Sequence, residues 1–186
     1  MRCFIAIPLP RATRIALETV QEALPFGTPT DPEQLHLTLA FLGEQPDHAV
    51  EAAHEALEGL RFAPFQMQLR GLHAPGKRPE TLWAGLADPA PVAALHEKIR
   101  AALYGADIVL ERRRFRPHVT LARLGPMDPQ DEARLARTLA TWDGFPSPPV
   151  TVEGLALYRS TLTKAGPIHD ELAFYPASPL ASAPGA

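Results

Sequence analysis

The sequence predicts an α+β protein made of a duplicated unit. It should form two lobes related by a pseudo-two-fold axis, with two antiparallel sheets facing a central cleft and helices on the outside. Three observations predict this. Residues 36–43 read HLTLAFLG and residues 118–125 read HVTLARLG, so an H-x-T motif recurs with the same flanking Leu and Leu-Gly. After each copy come a proline-containing connector and a helical pattern, over 48–60 and 130–142. Ala52, Ala53, Ala56 and Leu57 recur at helical spacing in the first, and Leu135, Ala136, Leu139 and Ala140 in the second. Before each copy stand a short apolar segment and a helix: 3–9 and 12–24 in the first, 81–87 and 91–104 in the second. The unit is therefore strand, helix, H-x-T strand, helix, strand, repeated at an offset of roughly 80 residues. Strands with one apolar face must bury it under helices, and a duplicated unit tends to pack about a two-fold axis.

The closing strand of each unit is read at 65–75 and at 150–160, both containing Gly-Leu. Residues 168–175 should pair with 150–159 and complete the second lobe. Residues 1–175 thus form a single bilobal domain, and 176–186, small residues and proline without periodicity, form a disordered tail. Many of the 21 prolines fall between periodic segments, as punctuation.

Composition narrows the function classes. A content of 46% hydrophobic and 21% charged residues is that of an ordinary globular protein. The formal charge of −3 argues against a surface coated in positive charge for bulk nucleic-acid binding, while leaving room for a local basic patch. Cys3 is the only cysteine, so neither an intramolecular disulfide nor a thiolate zinc cluster can form. The apolar run 3–9 contains Pro8 and meets Pro10 and Arg11 at once, too short for a membrane span and unlike a signal peptide. A cytoplasmic monomer without an obligate protein partner is expected. No H-x-x-x-H, D-x-D or C-x-x-C pattern occurs, so no metal and no cofactor are expected.

The motifs carry the chemistry. On a strand, residues i and i+2 share a face, so His36 projects with Thr38 and His118 with Thr120, while Leu37, Leu39, Val119 and Leu121 turn into the core. Composition alone would yield roughly 0.5 H-x-T matches here; two copies in equivalent places of a repeat are a different signal. Two imidazoles that titrate near neutrality and two hydroxyl donors suit in-line displacement at phosphorus. One group takes a proton from the attacking water, one protonates the leaving oxygen, and the hydroxyls hold the non-bridging oxygens. The near-symmetry of the copies leaves the acid and base roles open.

HLTLAFLG, FRPHVTLARLG and the opening RCFIAIPLP resemble the RNA 2′,3′-cyclic phosphodiesterase family of the 2H phosphoesterase superfamily, also called bacterial 2′-5′ RNA ligase-like proteins. The similarity runs to about Tyr175. It implies metal-independent hydrolysis of 2′,3′-cyclic phosphates, at RNA 3′ ends or on nucleosides, to 2′-phosphates. It also implies that His36 is the proton donor to the 3′ oxygen and His118 the proton acceptor from water. Other 2′,3′-cyclic or 2′-5′ nucleotide substrates, 2′-5′ ligation and a non-catalytic RNA phosphate clamp are the rival readings. One departure is visible: after Gly166-Pro167 the family often has a tyrosine where His169 stands here.

Further residues support the site. Arg116 lies two before His118, sharing its parity if the strand runs back through Pro117, and is read with Thr38 and Thr120 as substrate-binding. Arg123 has the opposite parity and serves only if a bulge turns it inward. Arg112 to Arg114 read mainly as a solvated basic run, as do Lys77 and Arg78 in their loop. Phe41, Trp83, Tyr158 and Phe174 are the options for stacking a base, with Trp83 favoured as core. His48, His54 and His96 read as surface residues on helices.

Overall fold

The computed structural model describes residues 1–111, 114–163 and 166–178. Its helices are α1 (Arg11–Glu22), α2 (Asp47–Glu58), α3 (Ala90–Gly105) and α4 (Pro129–Trp142), each within two residues of the periodic pattern that predicts it. The entry to α4 shows why its end is sharp. Asp128 accepts from the backbone N–H groups of Gln130 and Asp131, both at 2.8 Å, and Pro129 occupies the first helical position, where no N–H is needed.

Among the described residues ten strands accompany them: β1 (Arg2–Pro8), β2 (Thr28–Pro29), β3 (His36–Glu44), β4 (Phe65–Met67), β5 (Leu69–His73), β6 (Thr81–Leu86), β7 (Val119–Arg123), β8 (Val150–Val152), β9 (Gly154–Thr163) and β10 (Gly166–Pro176). Every pairing is antiparallel. The α+β class stands, but the two H-x-T strands lie side by side in one sheet rather than in two separate facing sheets. One eight-stranded sheet runs β10-β9-β1-β3-β7-β6-β5, with β2 beside β7, and a second small sheet pairs β4 with β8. The two H-x-T strands join the halves of the large sheet through a single register pair, Leu37 with Val119. That pair lies one residue past each motif histidine.

A second correction concerns the closing strands. β10 pairs with β9 as predicted, but β9 lies against β1, so this hairpin extends the half carrying the first motif. Reciprocally β5, from the first unit, lies against β6 of the second. Each half is thus completed by the other unit's last strand. At the C-terminus β10 reaches Pro176, and the N–H groups of Ala177 and Ser178 donate to the carbonyls of Glu153 and Phe62. The rest of the expected tail, 179–186, lies outside the described residues.

The core lies on the face of the sheet away from the histidines. Leu37, Leu39, Val119 and Leu121 are buried there with Leu17 and Val20 of α1 and Leu95, Ile99 and Leu103 of α3. Each such side chain contributes about 1.5–3 kcal/mol by leaving water, which fixes the parity of β3 and β7 and so the outward aim of His and Thr. Among the described residues no helix is long and apolar enough to cross a membrane.

Candidate active site

His36 and Thr38 on β3, and Thr120 on β7 with His118 just before it, are all half-buried; buried neighbours flank His36, Thr38 and Thr120 on both sides and follow His118 at Val119. The two histidines are held alike. Nδ1 of His36 lies 2.7 Å from the carbonyl oxygen of Gln34, and Nδ1 of His118 lies 2.7 Å from that of Arg116. A carbonyl can only accept, so Nδ1 carries the hydrogen in both rings and Nε2 keeps its lone pair when the ring is neutral. Such a second bond fixes ring orientation and tautomer, as an outer partner does for a metal-bound histidine. Arg116 therefore contributes its carbonyl here, from a segment ahead of the strand. β7 begins at Val119, and the Arg116 side chain is exposed rather than aligned by strand parity.

The rings rest against different walls. Phe4 of β1 stacks on His36 at 4.8 Å between centroids, Tyr158 stacks on Phe4 at 5.1 Å, and His169 stands edge-on to His36 at 5.3 Å. The Tyr158 hydroxyl donates to Glu171 Oε2 at 3.3 Å. Burial, and then the Glu171 charge, push this phenol up to about 12, so it stays a neutral donor. On the other side Trp83 of β6 packs on His118 at 4.1 Å, with His73 at 6.1 Å beyond it. The sequence favours Trp83 as core; it is instead half-buried, pairs with Thr120 across β6 and β7, and walls the second histidine. Its buried Nε1 has no hydrogen-bond partner among the described residues.

Burial also sets the proton affinities. It pushes His36 down to about 4; the Gln34 carbonyl opposes the shift, and the neighbouring His169 and His118 add to it. His118 is lowered by the same desolvation against the Arg116 carbonyl, and His169 by burial against the Ile168 backbone and the Asp170 charge. Both motif imidazoles are thus neutral in the free protein at pH 7.

Sequence reasoning passes over Phe4 and gives His73 no role. The run RCFIAIP is apolar on both faces, so its parity carries no signal. Of the stacking options, Phe41 is 66% exposed and packs tilted on Phe4 at 6.1 Å, and Tyr158 is instead part of the wall behind His36. Phe174 is 46% exposed and lies opposite Ala156 on β9. Arg114, Lys77 and Arg78 are exposed; Arg112 and Arg113 lie outside the described residues. Of the helix histidines, His48 is exposed, and His54 meets the Tyr175 hydroxyl at 2.8 Å. His96, expected at the surface, is half-buried, stacked flat on Phe115 at 4.0 Å, with Nδ1 2.8 Å from the Leu39 carbonyl oxygen. A hollow of about 400 Å³ between the end of α1 and α4 is lined by Ala23, Pro25, Arg134, Arg137 and Trp142 among others, none of them on the histidine face.

Two H-x-T segments, meeting at the centre of an antiparallel sheet under four helices, define a class. The chain belongs to the 2'-5' RNA ligase superfamily, whose model matches residues 9–163. It is 36% identical over 185 residues to the RNA 2',3'-cyclic phosphodiesterase of Thermus thermophilus, an alignment covering 92% of this chain and 88% of that protein. It is 31% identical over 181 residues to the RNA 2',3'-cyclic phosphodiesterase of Geobacillus stearothermophilus, covering 93% of this chain; the chain spans only 56% of that relative's length. The crystal structure of the Thermus thermophilus protein TT0787 matches with a TM-score of 0.73 at 31% identity, covering 95% of this chain and 97% of the other.

Proposed function

We propose that the chain is a metal-independent RNA 2′,3′-cyclic phosphodiesterase that opens the cyclic phosphate to a 2′-phosphate. The observation that carries the reading is the matched pair of imidazoles. Each is oriented by a carbonyl two residues back, each has an Nε2 without a hydrogen bond to any described residue, and each stands beside a threonine hydroxyl on strands that meet at Leu37 and Val119. The names of the relatives support the substrate class.

The chain is read as a two-lobed duplicate whose axis passes between the motifs, with the histidines facing each other across a cleft. The register supports this. Leu37 pairs with Val119, its counterpart in the second unit. In the small sheet the start of the first unit's closing segment, Phe65–Met67, pairs with that of the second, Val150–Val152, as corresponding segments beside a two-fold axis would.

In the reaction, His118 Nε2 takes a proton from water as the water oxygen forms a bond to phosphorus. The bond from phosphorus to O3′ breaks, and O3′ takes the proton carried by His36 Nε2. The products are the 3′-hydroxyl and the 2′-phosphate, with the proton now on His118. Thr38 and Thr120 donate to the non-bridging oxygens, and Arg116 supplies positive charge from the His118 side. Phe41, exposed next to Phe4, offers its face to the terminal base. His36 must be protonated to act as the acid although burial holds it near 4. The anionic phosphodiester supplies the compensating charge on binding.

The low values of both imidazoles set the pH dependence. The productive form has one ring protonated and one neutral, so kcat/KM, which reports the free protein, should peak below pH 6.5 and fall on the alkaline side. The bound anion raises both values, so the kcat optimum should lie at higher pH. Rates across pH 4–9 check this (a range of about five units); a kcat/KM optimum above 7.5 would contradict it. The activity itself is tested by incubating the protein, with EDTA, with a short RNA ending in a 2′,3′-cyclic phosphate and following products by phosphorus NMR. Formation of the 2′-phosphate is expected; no turnover, or turnover lost on chelation, refutes the reading.

A further inference from the structure

The two motif strands are flanked alike. β1 lies beside β3 as β6 lies beside β7, and each flanking strand sets an aromatic ring against the neighbouring imidazole. Phe4 of β1 meets His36, and Trp83 of β6 meets His118. The next strand out repeats the likeness, since Phe4 pairs with Tyr158 of β9 and Trp83 with His73 of β5. The walls differ in the ring itself: benzene behind His36, indole behind His118.

That difference matters because the two imidazoles change charge in opposite directions. On the reading above, His36 begins charged and ends neutral, whereas His118 begins neutral and ends as an imidazolium. The face of an aromatic ring is negative and attracts a cation, most strongly for indole. A strong ring therefore helps the group that gains a proton and hinders the group that gives one up. Indole stands behind the first and benzene behind the second.

The contact is close enough to act. The Trp83 and His118 centroids are 4.1 Å apart, with the planes inclined by 50°. Rings that meet only by their edges sit toward the far end of the usual range of about 4.5–7 Å, so at this separation one ring lies over the other's face. The indole is not held there by its polar end, because the buried Nε1 has no hydrogen-bond partner among the described residues. What tryptophan offers at this place over phenylalanine is the larger negative face.

Nothing else near His118 is placed to take up its charge. Among the described residues no carboxylate pairs with it; burial lowers its proton affinity, and the Arg116 carbonyl opposes the shift. On the elements around it β6 carries no titratable side chain, β5 carries Arg70 and His73, β7 Arg123, its own segment Arg114 and Arg116, and β3 His36. The one carboxylate on these elements, Glu44, sits at the far end of β3 beside the N-terminus.

We infer that Trp83 is a positioning residue that stabilises the imidazolium His118 becomes on taking the proton from water, by facing it with the negative side of its indole. This rests on the phosphodiesterase reading above, with His118 as its base.

A smaller ring at this position would also admit water to His118 and raise its proton affinity, masking the effect. Fluorination avoids this, because it withdraws charge from the face of the ring at nearly constant shape. The chain has two tryptophans, and the other, Trp142, lines the hollow beside α4 away from the histidines. The test protein is therefore Trp142→Phe, made with tryptophan and with mono-, di- and trifluorotryptophan. Nitrogen NMR of the imidazoles should show His118 losing proton affinity stepwise, by about one pH unit over the series, while His36 stays level. On a short RNA ending in a 2′,3′-cyclic phosphate, kcat should fall in parallel, about tenfold in all. A His118 titration that ignores fluorination overturns the inference, as does a level kcat while the titration moves. In either case turnover by the tryptophan protein leaves the phosphodiesterase reading standing. Turnover by none of the proteins, the tryptophan one included, overturns both.

Discussion

His118→Ala is expected to lower kcat/KM on a cyclic-phosphate RNA end by about 10²–10⁴-fold, the usual worth of one positioned acid or base. The ring is held by the Arg116 carbonyl and walled by Trp83, so its Nε2 is aimed before substrate arrives. On the proposed mechanism alanine removes the proton acceptor and leaves water to attack unassisted. His36→Ala should fall in the same range but at its lower end, because the His169 imidazole stands 5.3 Å from His36 and can deliver a proton from nearby. Initial rates on the purified variants, with circular dichroism to confirm folding, check both. Near-full activity in either variant contradicts the mechanism.

The second large effect concerns the threonines. Thr38→Val and Thr120→Val keep the β-branched shape that suits a strand and remove only the hydroxyl. If each hydroxyl donates to a phosphate oxygen that gains charge in the transition state, each substitution should cost about 10²–10³-fold in kcat, with the smaller part of the loss in KM. The parity behind this is firm in the fold: Leu37, Leu39, Val119 and Leu121 are buried at 1% exposure or less, so the intervening threonines cannot turn inward. Unchanged kcat in the double Val variant would remove them from the mechanism.

Much of this is legible in the sequence because it is local. The histidine and threonine faces follow from strand alternation over a few residues, and the helix positions from the spacing of Ala and Leu. What escapes such a reading depends on partners far along the chain. The exchange of β5 and β9 between halves leaves no local mark, since a strand's own pattern does not name its neighbour. Alternation assigns Arg123 to the face opposite His118, but β7 bulges at Leu121: Trp83 pairs with Thr120 and Leu82 with Ala122, a register set by β6, and the Leu121 carbonyl accepts from Gln21, a hundred residues away in sequence. Trp83 reads as core because an apolar aromatic in a strand pattern looks the same whether it packs under a helix or against a histidine. Arg116 is aligned, on parity, by a strand that does not reach it; its segment instead supplies a carbonyl, a backbone role that side-chain identity cannot reveal.

On the proposed mechanism two equivalent imidazoles do opposite jobs, His118 as base and His36 as acid. The pH profile of kcat/KM in the single variants tests it most directly. The unaltered protein should give a bell. His118→Ala should lose the acidic limb and keep a decline with rising pH, since only protonated His36 is still required. His36→Ala should lose the alkaline limb and keep a decline with falling pH. The opposite assignment of limbs would exchange the two roles, and two variants that both retain the full bell would show that neither imidazole carries the proton transfer.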